Sequence, residues 1–209
     1  MLTNKERPLR FPPVVLLLGG AILVAFFALG QFDPNAHQAL FNQWGVVPAR
    51  FDAPMDYVVL AAPLFGHVFF HYGVAHILMN GLAFMDAAPF VASRLGAVRF
   101  LVLFFASALG GALAYILINA HSEIGAVGAS GAICGLFGAY FLGVRPSPQA
   151  ALADPRVRRA IVVFLGINVV LFALLPLPIA WEAHLGGFIA GAIAYPLLAP
   201  KCTSAGPWG

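Results

Sequence analysis

His76 and Asn80 stand four residues apart, so on a helix they share one face. Ser130 and His184 lie far from them and from each other along the chain. All four fall in or at the start of long apolar blocks, where polar and ionisable groups are costly and by default functional. A hydroxyl and an imidazole within hydrogen-bond reach are the minimum for an activated nucleophile: the ring takes the Oγ proton during attack and returns it to the leaving amine. Ser130 also opens a helix, so its N–H is an unpaired donor at the positive end of the helix dipole, suited to a developing oxyanion. The Asn80 amide and the His76 ring are further donors of the same kind. The chemistry in prospect is acyl transfer by Ser130 with His184 as general base. Glu182 lies just above His184 and no acid flanks it at the same depth, so a dyad is expected rather than a triad.

A ruler made from basic residues tests whether these groups could meet. Asn80 and His76 lie 14 and 18 residues before Arg94, roughly 21 and 27 Å along a helix. Ser130 lies 15 residues before Arg145 and His184 17 before Lys201, roughly 22 and 25 Å. Three separate helices thus bring their polar groups to one level, near the outer surface. Glycine supplies a reason for the helices to touch. Gly131-xxx-Gly135, with Gly138 a turn on, follows Ser130, and Gly187-xxx-Gly191, with Gly186 beside it, follows His184. Such small-xxx-small surfaces let helix backbones approach closely in lipid. Taken singly, each polar residue has a plain structural role as a cap, an interfacial side chain or a helix–helix hydrogen bond; the shared depth and the glycines join them.

The elements that must position these groups follow from composition. Of 209 residues, 61% are apolar and 9% charged, against about 25% charged in an ordinary soluble domain. The apolar residues come in blocks of about twenty, the length that crosses a bilayer. An all-α polytopic membrane protein with six spans is predicted, at about 13–31, 72–92, 98–119, 128–145, 159–177 and 183–200. The first block is too long for a signal-peptide core, and Gln31-Phe32-Asp33 is no small-residue cleavage site. With the N-terminus in the cytoplasm, Lys5, Arg7, Arg10, Arg94, Arg99, Arg145, Arg156, Arg158, Arg159 and Lys201 fall inside and only Arg50 outside, a strong positive-inside bias. Residues 1–12 and 201–209 are then cytoplasmic, flanking a membrane domain over 13–200.

Residues 32–71 form a long outer loop rich in apolar and aromatic residues, expected to lie in the interface. Residues 146–158, with three prolines, read as a plain linker. The eleven basic residues sit at span ends and form no basic face, which excludes nucleic acid as a partner. Cys134 and Cys202 make no disulfide framework. His67, His71 and His76 do not share a helix face, no HExxH occurs, and no metal or other cofactor is expected. Asp86 is an intramembrane acid for which a hydrogen bond to a neighbouring helix is expected. A channel would need polar groups through the whole depth, and apart from Asp86 they stop at the outer third.

Three motifs, His71-x-x-x-x-His76-x-x-x-Asn80, Gly128-Ala129-Ser130-Gly131 followed by Ala132-Ile133-Cys134-Gly135, and Ala183-His184-x-x-Gly187-x-x-x-Gly191, resemble those of the rhomboid family of intramembrane serine proteases. The resemblance covers roughly residues 57 to 195. It implies a six-helix rhomboid-like bundle with a water-filled cavity open to the outer face, Ser130 as nucleophile and His184 as base. His76, Asn80 and the Ser130 N–H would form the oxyanion hole, with Gly128 beside them, and His67 and His71 would be structural residues of a half-embedded loop. Substrates would be transmembrane proteins, cut in or near their spans. Apart from the resemblance, a bacterial inner membrane is the expected location, since the sequence shows no Arg- and Ser-rich transit peptide. The alternative is a rhomboid-like protein that binds membrane helices without cutting them. Two departures stand out. The family's first loop often carries a Trp-Arg pair where this chain has Leu60-Ala61-Ala62-Pro63, and an aromatic that stacks on the catalytic His often stands where this chain has Cys134.

Overall fold

A computed structural model of the chain describes residues 11–29, 34–52, 57–174 and 180–200. Lys5, Arg7, Arg10, Lys201 and Cys202, along with Gln31-Phe32-Asp33, lie outside the described residues. Within them the fold is helical: α1 (Pro13–Leu29), α2 (Pro34–Trp44), α3 (Tyr57–Gly66), α4 (Val74–Leu95), α5 (Ala97–Ile118), α6 (Ser130–Gly143), α7 (Pro148–Ala153), α8 (Pro155–Leu174) and α9 (Trp181–Leu198). Each of the six apolar blocks holds a helix, respectively α1, α4, α5, α6, α8 and α9. Two of these, α4 and α5, are long and apolar enough to cross a membrane by length and composition; α1 and α6 are apolar but shorter. Helix α9 begins with Trp181, Glu182 and His184, and α8 begins with Arg156, Arg158 and Arg159.

The surface suits lipid better than water. Leu17, Leu82, Val98, Leu117 and Leu197, on four different helices, are each more than 70% exposed. Large apolar side chains so widely exposed, together with apolar helices of spanning length, suit contact with lipid, and the chain is an integral membrane protein.

At the centre stands α6. Ten of its fourteen residues are buried, so it has neighbours on every side and needs no polar face. At fourteen residues it is about 21 Å long, against about 33 Å for the 22-residue α4 and α5. A Cβ on Gly111 would lie 3.5 Å from the Gly131 α-carbon, and α5 runs on to Ile118, so the start of α6 sits about two turns below that end of α5. Phe100, Leu103 and Phe104 of α5 and Leu136 of α6 are fully buried in the main core, which α4 joins through Phe84, Ala87, Ala88 and Val91.

Helix α9 packs on α6 and α5 with backbone against backbone. A Cβ placed on Gly187 would lie 2.0 Å from the Gly131 carbonyl oxygen, and one on Gly191 2.0 Å from that of Gly135. On the other flank, a Cβ on Gly186 would lie 2.6 Å from the Gly110 carbonyl oxygen and one on Gly111 2.7 Å from that of Ala183. The seam expected between the helices of Ser130 and His184 is present, and α5 forms a second one.

Between α1 and α4 the chain is far from featureless. It carries α2, a short 3-10 turn at Pro48–Phe51, α3 and a second turn at His67–Phe69. Val46 pairs with Ala126 as an isolated antiparallel bridge, both hydrogen bonds at 2.9 Å. The Ala49 N–H donates to Ser122 O at 3.0 Å. This long segment thus grips the loop that precedes Ser130. The stretch 146–158, expected as a plain linker, instead holds α7 and the start of α8. Ser147 caps α7 by accepting from the Ala150 N–H at 3.1 Å, and Pro148 occupies the first helical position, where no N–H is needed. Arg145 then binds Asp154 through Nε at 2.8 Å and Nη2 at 2.5 Å, holding the Asp154 carboxyl below the usual carboxylate range.

Candidate active site

Four helix ends and one turn build the site. The turn comes first, because it delivers Ser130. Gly128 has φ +123°, a conformation that strongly favours glycine. A Cβ there would lie 2.8 Å from both Cε1 and Nε2 of His76, and 3.6 Å from Asn80 Nδ2. The bare α-carbon lets the His76 ring and the Asn80 amide close on the backbone two residues before Ser130. The Gly128 N–H donates to His67 O at 2.9 Å, and the Ala129 N–H points at His71 Nε2 at 3.5 Å. His67 in turn donates from Nδ1 to Pro63 O at 2.8 Å. Burial lowers the pKa of His67 to about 4; burial and then the neighbouring His76 lower that of His71 to about 3. Both rings are therefore neutral scaffolding at ordinary pH.

His76 lies half-buried near the start of α4, edge-on to His71 at 4.9 Å and stacked with Tyr72 at 6.2 Å between centroids. The Tyr72 N–H approaches His76 Nδ1 at 3.4 Å. An N–H can only donate, so Nδ1 is the bare nitrogen and the ring proton of neutral His76 sits on Nε2, the atom facing Gly128. One turn on, Asn80 is 7% exposed, and its Nδ2 has no hydrogen-bond partner among the described residues. Each such buried orphan in a folded protein calls for an explanation. Here two N–H donors converge beside the turn that leads into α6.

Ser130 is the first residue of α6 and is half-buried; His184 is in the first turn of α9 and is also half-buried. Their chain neighbours, Gly131 and Ala183, touch across the seam, with a Cβ on Gly131 lying 3.1 Å from Ala183 O. The two side chains thus flank one backbone contact. No hydrogen bond joins Ser130 Oγ to His184 among the described residues; His184 Nδ1 instead meets Asn168 Oδ1 of α8 at 2.8 Å. Ser130 borders a small cavity of about 20 Å³ with Gly128, His67 and Tyr115, and His184 a larger one of about 120 Å³ with Cys134, Phe164 and Asn168.

Glu182 does not serve His184. It is buried and accepts from Asn119 Nδ2 at 3.1 Å. Asp86 lies exposed on α4, and no hydrogen bond to a neighbouring helix is formed among the described residues, against the expectation. Its position on the outer face of the helix turns it away from the core partners it was expected to bind.

Asn168 is the residue that sequence reasoning missed. A signal was present, since Asn168 is a lone amide inside an apolar block. Depth would not have selected it: it lies only nine residues, about 14 Å, beyond Arg159. Arg159, however, is four residues into α8, which begins at Pro155. Measured from Pro155, Asn168 stands about 20 Å along the helix, close to the level of the other four.

A model of the Rhomboid domain matches residues 61–201 of this chain. The rhomboid protease GluP of Bacillus subtilis (strain 168) is 28% identical over 131 residues, an alignment that covers 59% of this chain and 23% of that protein. The chain therefore matches about a quarter of that relative's length.

Proposed function

This chain belongs to the rhomboid family, and from that premise we propose that it is an intramembrane serine endopeptidase acting through Ser130 and His184. The observation that carries the proposal is the buried Nδ2 of Asn80, without a partner among the described residues, beside Gly128, two residues before a half-buried serine that opens a helix. An orphaned donor is costly in a resting structure but useful where a negative charge develops during reaction.

In this reading Ser130 Oγ attacks the substrate carbonyl carbon while its proton passes to His184 Nε2. The carbonyl π electrons move to oxygen, and the oxyanion accepts from Asn80 Nδ2, the Ser130 N–H and His76 Nε2. Collapse of the intermediate breaks the C–N bond, and the imidazolium gives its proton to the departing amine. Water then attacks the acyl-enzyme with His184 again as base, releasing the acid and restoring Ser130. In this reading the Oγ–Nε2 hydrogen bond forms on substrate binding, as catalytic hydrogen bonds commonly tighten only in the bound complex.

The substrates are transmembrane segments of other proteins, cut toward the outer face. Their backbone must leave its helical hydrogen bonds to reach Ser130, so small or helix-breaking residues near the cut favour cleavage. We assign six spans to α1, α4, α5, α6, α8 and α9, with both termini cytoplasmic, in a bacterial inner membrane.

The test is reaction with a fluorophosphonate and cleavage of a model transmembrane substrate by detergent-folded protein. Wild type is expected to react and cut, and Ser130→Ala and His184→Ala to do neither while remaining folded. Cleavage by purified Ser130→Ala would overturn the assignment.

A further inference from the structure

We infer that Asn168 is a positioning residue that fixes the tautomer and plane of the His184 ring; the inference rests on the reading of His184 as general base. Two hydrogen bonds determine the arrangement. Asn168 Nδ2 donates to Phe164 O, one turn back on α8, at 2.9 Å. A carbonyl oxygen can only accept, so the amide nitrogen must face it and Oδ1 must point the other way. Oδ1 lies 2.8 Å from His184 Nδ1. An amide oxygen also can only accept, so Nδ1 carries the ring proton and neutral His184 presents the lone pair of Nε2. That is the nitrogen a base needs free for the serine, and setting it is the task of the third group in a Ser-His-acid triad.

The surroundings leave this work to Asn168. Glu182, the nearest acid in sequence, is held by Asn119. Cys134, one turn below Ser130, is too small to clamp the ring, and a cavity of about 120 Å³ lies between Cys134, Phe164 and the imidazole. The ring therefore has open space on one flank and a hydrogen bond at one edge. Asn168 is also placed to act as a fixed strut. It continues an inward stripe of α8, with Ile161, Phe164 and Leu165, while Val162, Val163, Ile167, Val169 and Val170 are all more than half exposed. An amide serves where a carboxylate would be expensive, since a charge inside the bilayer costs more than a neutral acceptor.

The experiment compares the full-length wild type with Asn168→Leu, which keeps the size and loses the acceptor, and Asn168→Asp, which keeps the acceptor. Two readouts are taken: kcat and KM on a model transmembrane substrate, and the ¹⁵N shifts of the His184 ring in histidine-labelled protein, assigned by their loss in His184→Ala. The expected result is a kcat about tenfold or more lower in Asn168→Leu with KM nearly unchanged, since a misplaced base loses rate before binding. Asn168→Asp should recover part of that loss. Wild-type His184 should show a protonated Nδ1 and bare Nε2, and Asn168→Leu a mixture of tautomers. Wild-type kcat in Asn168→Leu, equal loss in the Leu and Asp variants, or a wild-type ring protonated on Nε2 would each overturn the inference. The ring shifts need no turnover and no variant that folds poorly. If wild type neither cleaves nor reacts with fluorophosphonate, the protease reading fails, and the tautomer alone still decides whether Asn168 orients the ring.

Discussion

Helix α9 has two unlike sides. Toward α6 and α5 it meets backbone, with Gly187 and Gly191 against Gly131 and Gly135 and with Gly186 against Gly110. Toward α8 it meets side chains: Phe188 stacks on Phe164 at 5.7 Å, and His184 bonds Asn168. The first side fixes where the His184 backbone stands relative to Ser130, and the second fixes how its ring is turned. Backbone contacts cannot be repacked, whereas side-chain contacts have rotamers in reserve. Damage on the glycine side should therefore be all or none, and damage on the α8 side graded.

Four substitutions test that contrast, in order of falling effect. Gly191→Val puts a side chain where even a Cβ would lie 2.0 Å from Gly135 O. Overpacking typically costs about 1–3 kcal/mol, and a 1 Å displacement of reacting groups about 10² in rate. Cleavage should be all but lost and the melting temperature in detergent lowered; full activity would mean that this seam does not build the dyad. Phe164→Ala removes the ring that α8 lays against Phe188 and Phe137, the latter at 4.7 Å. The fold should persist, with kcat reduced about threefold to tenfold as His184 loses part of its support; a loss as complete as that of Gly191→Val would erase the distinction between the two sides. Gly143→Val sits at the far end of α6, where a Cβ would meet the Tyr195 hydroxyl at 2.7 Å and the Phe90 ring edge at 3.0 Å. Those are side-chain atoms rather than backbone and lie far from the site, so thermal melting should fall less than in Gly191→Val and cleavage should stay closer to wild type. Gly166→Ala, on α8 with nothing within 4 Å, should leave activity unchanged and raise stability by up to about 1 kcal/mol from helix propensity, read as a small increase in melting temperature.

The same contrast explains what the sequence disclosed. A glycine seam leaves a mark at fixed spacing, so the approach of the helices bearing Ser130 and His184 could be read from Gly131, Gly135, Gly187 and Gly191. The second seam was harder, because Gly110 and Gly111 are adjacent and do not repeat at four-residue spacing along α5. Side-chain contacts leave a weaker trace. Asn168 could be seen as an amide in an apolar block, but its partner depends on where α8 starts, and Pro155 rather than Arg159 marks that point. The apolar run 57–66 carries Pro63 inside α3, a residue that ordinarily argues against a helix. In α7, by contrast, the Ser147-Pro148 pair was a readable start signal for the six residues that follow.

The bridge between Val46 and Ala126 has a consequence for how the molecule opens. Val46, Ala49, His67 and Tyr72 each hold a backbone group of the 122–128 loop. Partners that depend on one another in this way separate together, as a single cooperative unit with its own opening free energy. The amides of Val46, Ala126 and Gly128 should then exchange with deuterium at one common rate. That rate should be faster than for the amides buried in α6 and slower than for the exposed surface turns. The turn that delivers Ser130 would thus be as durable as the long segment outside the bundle, and a change as remote as Ala49→Pro, which deletes the N–H bound to Ser122, would be felt as faster exchange at Gly128.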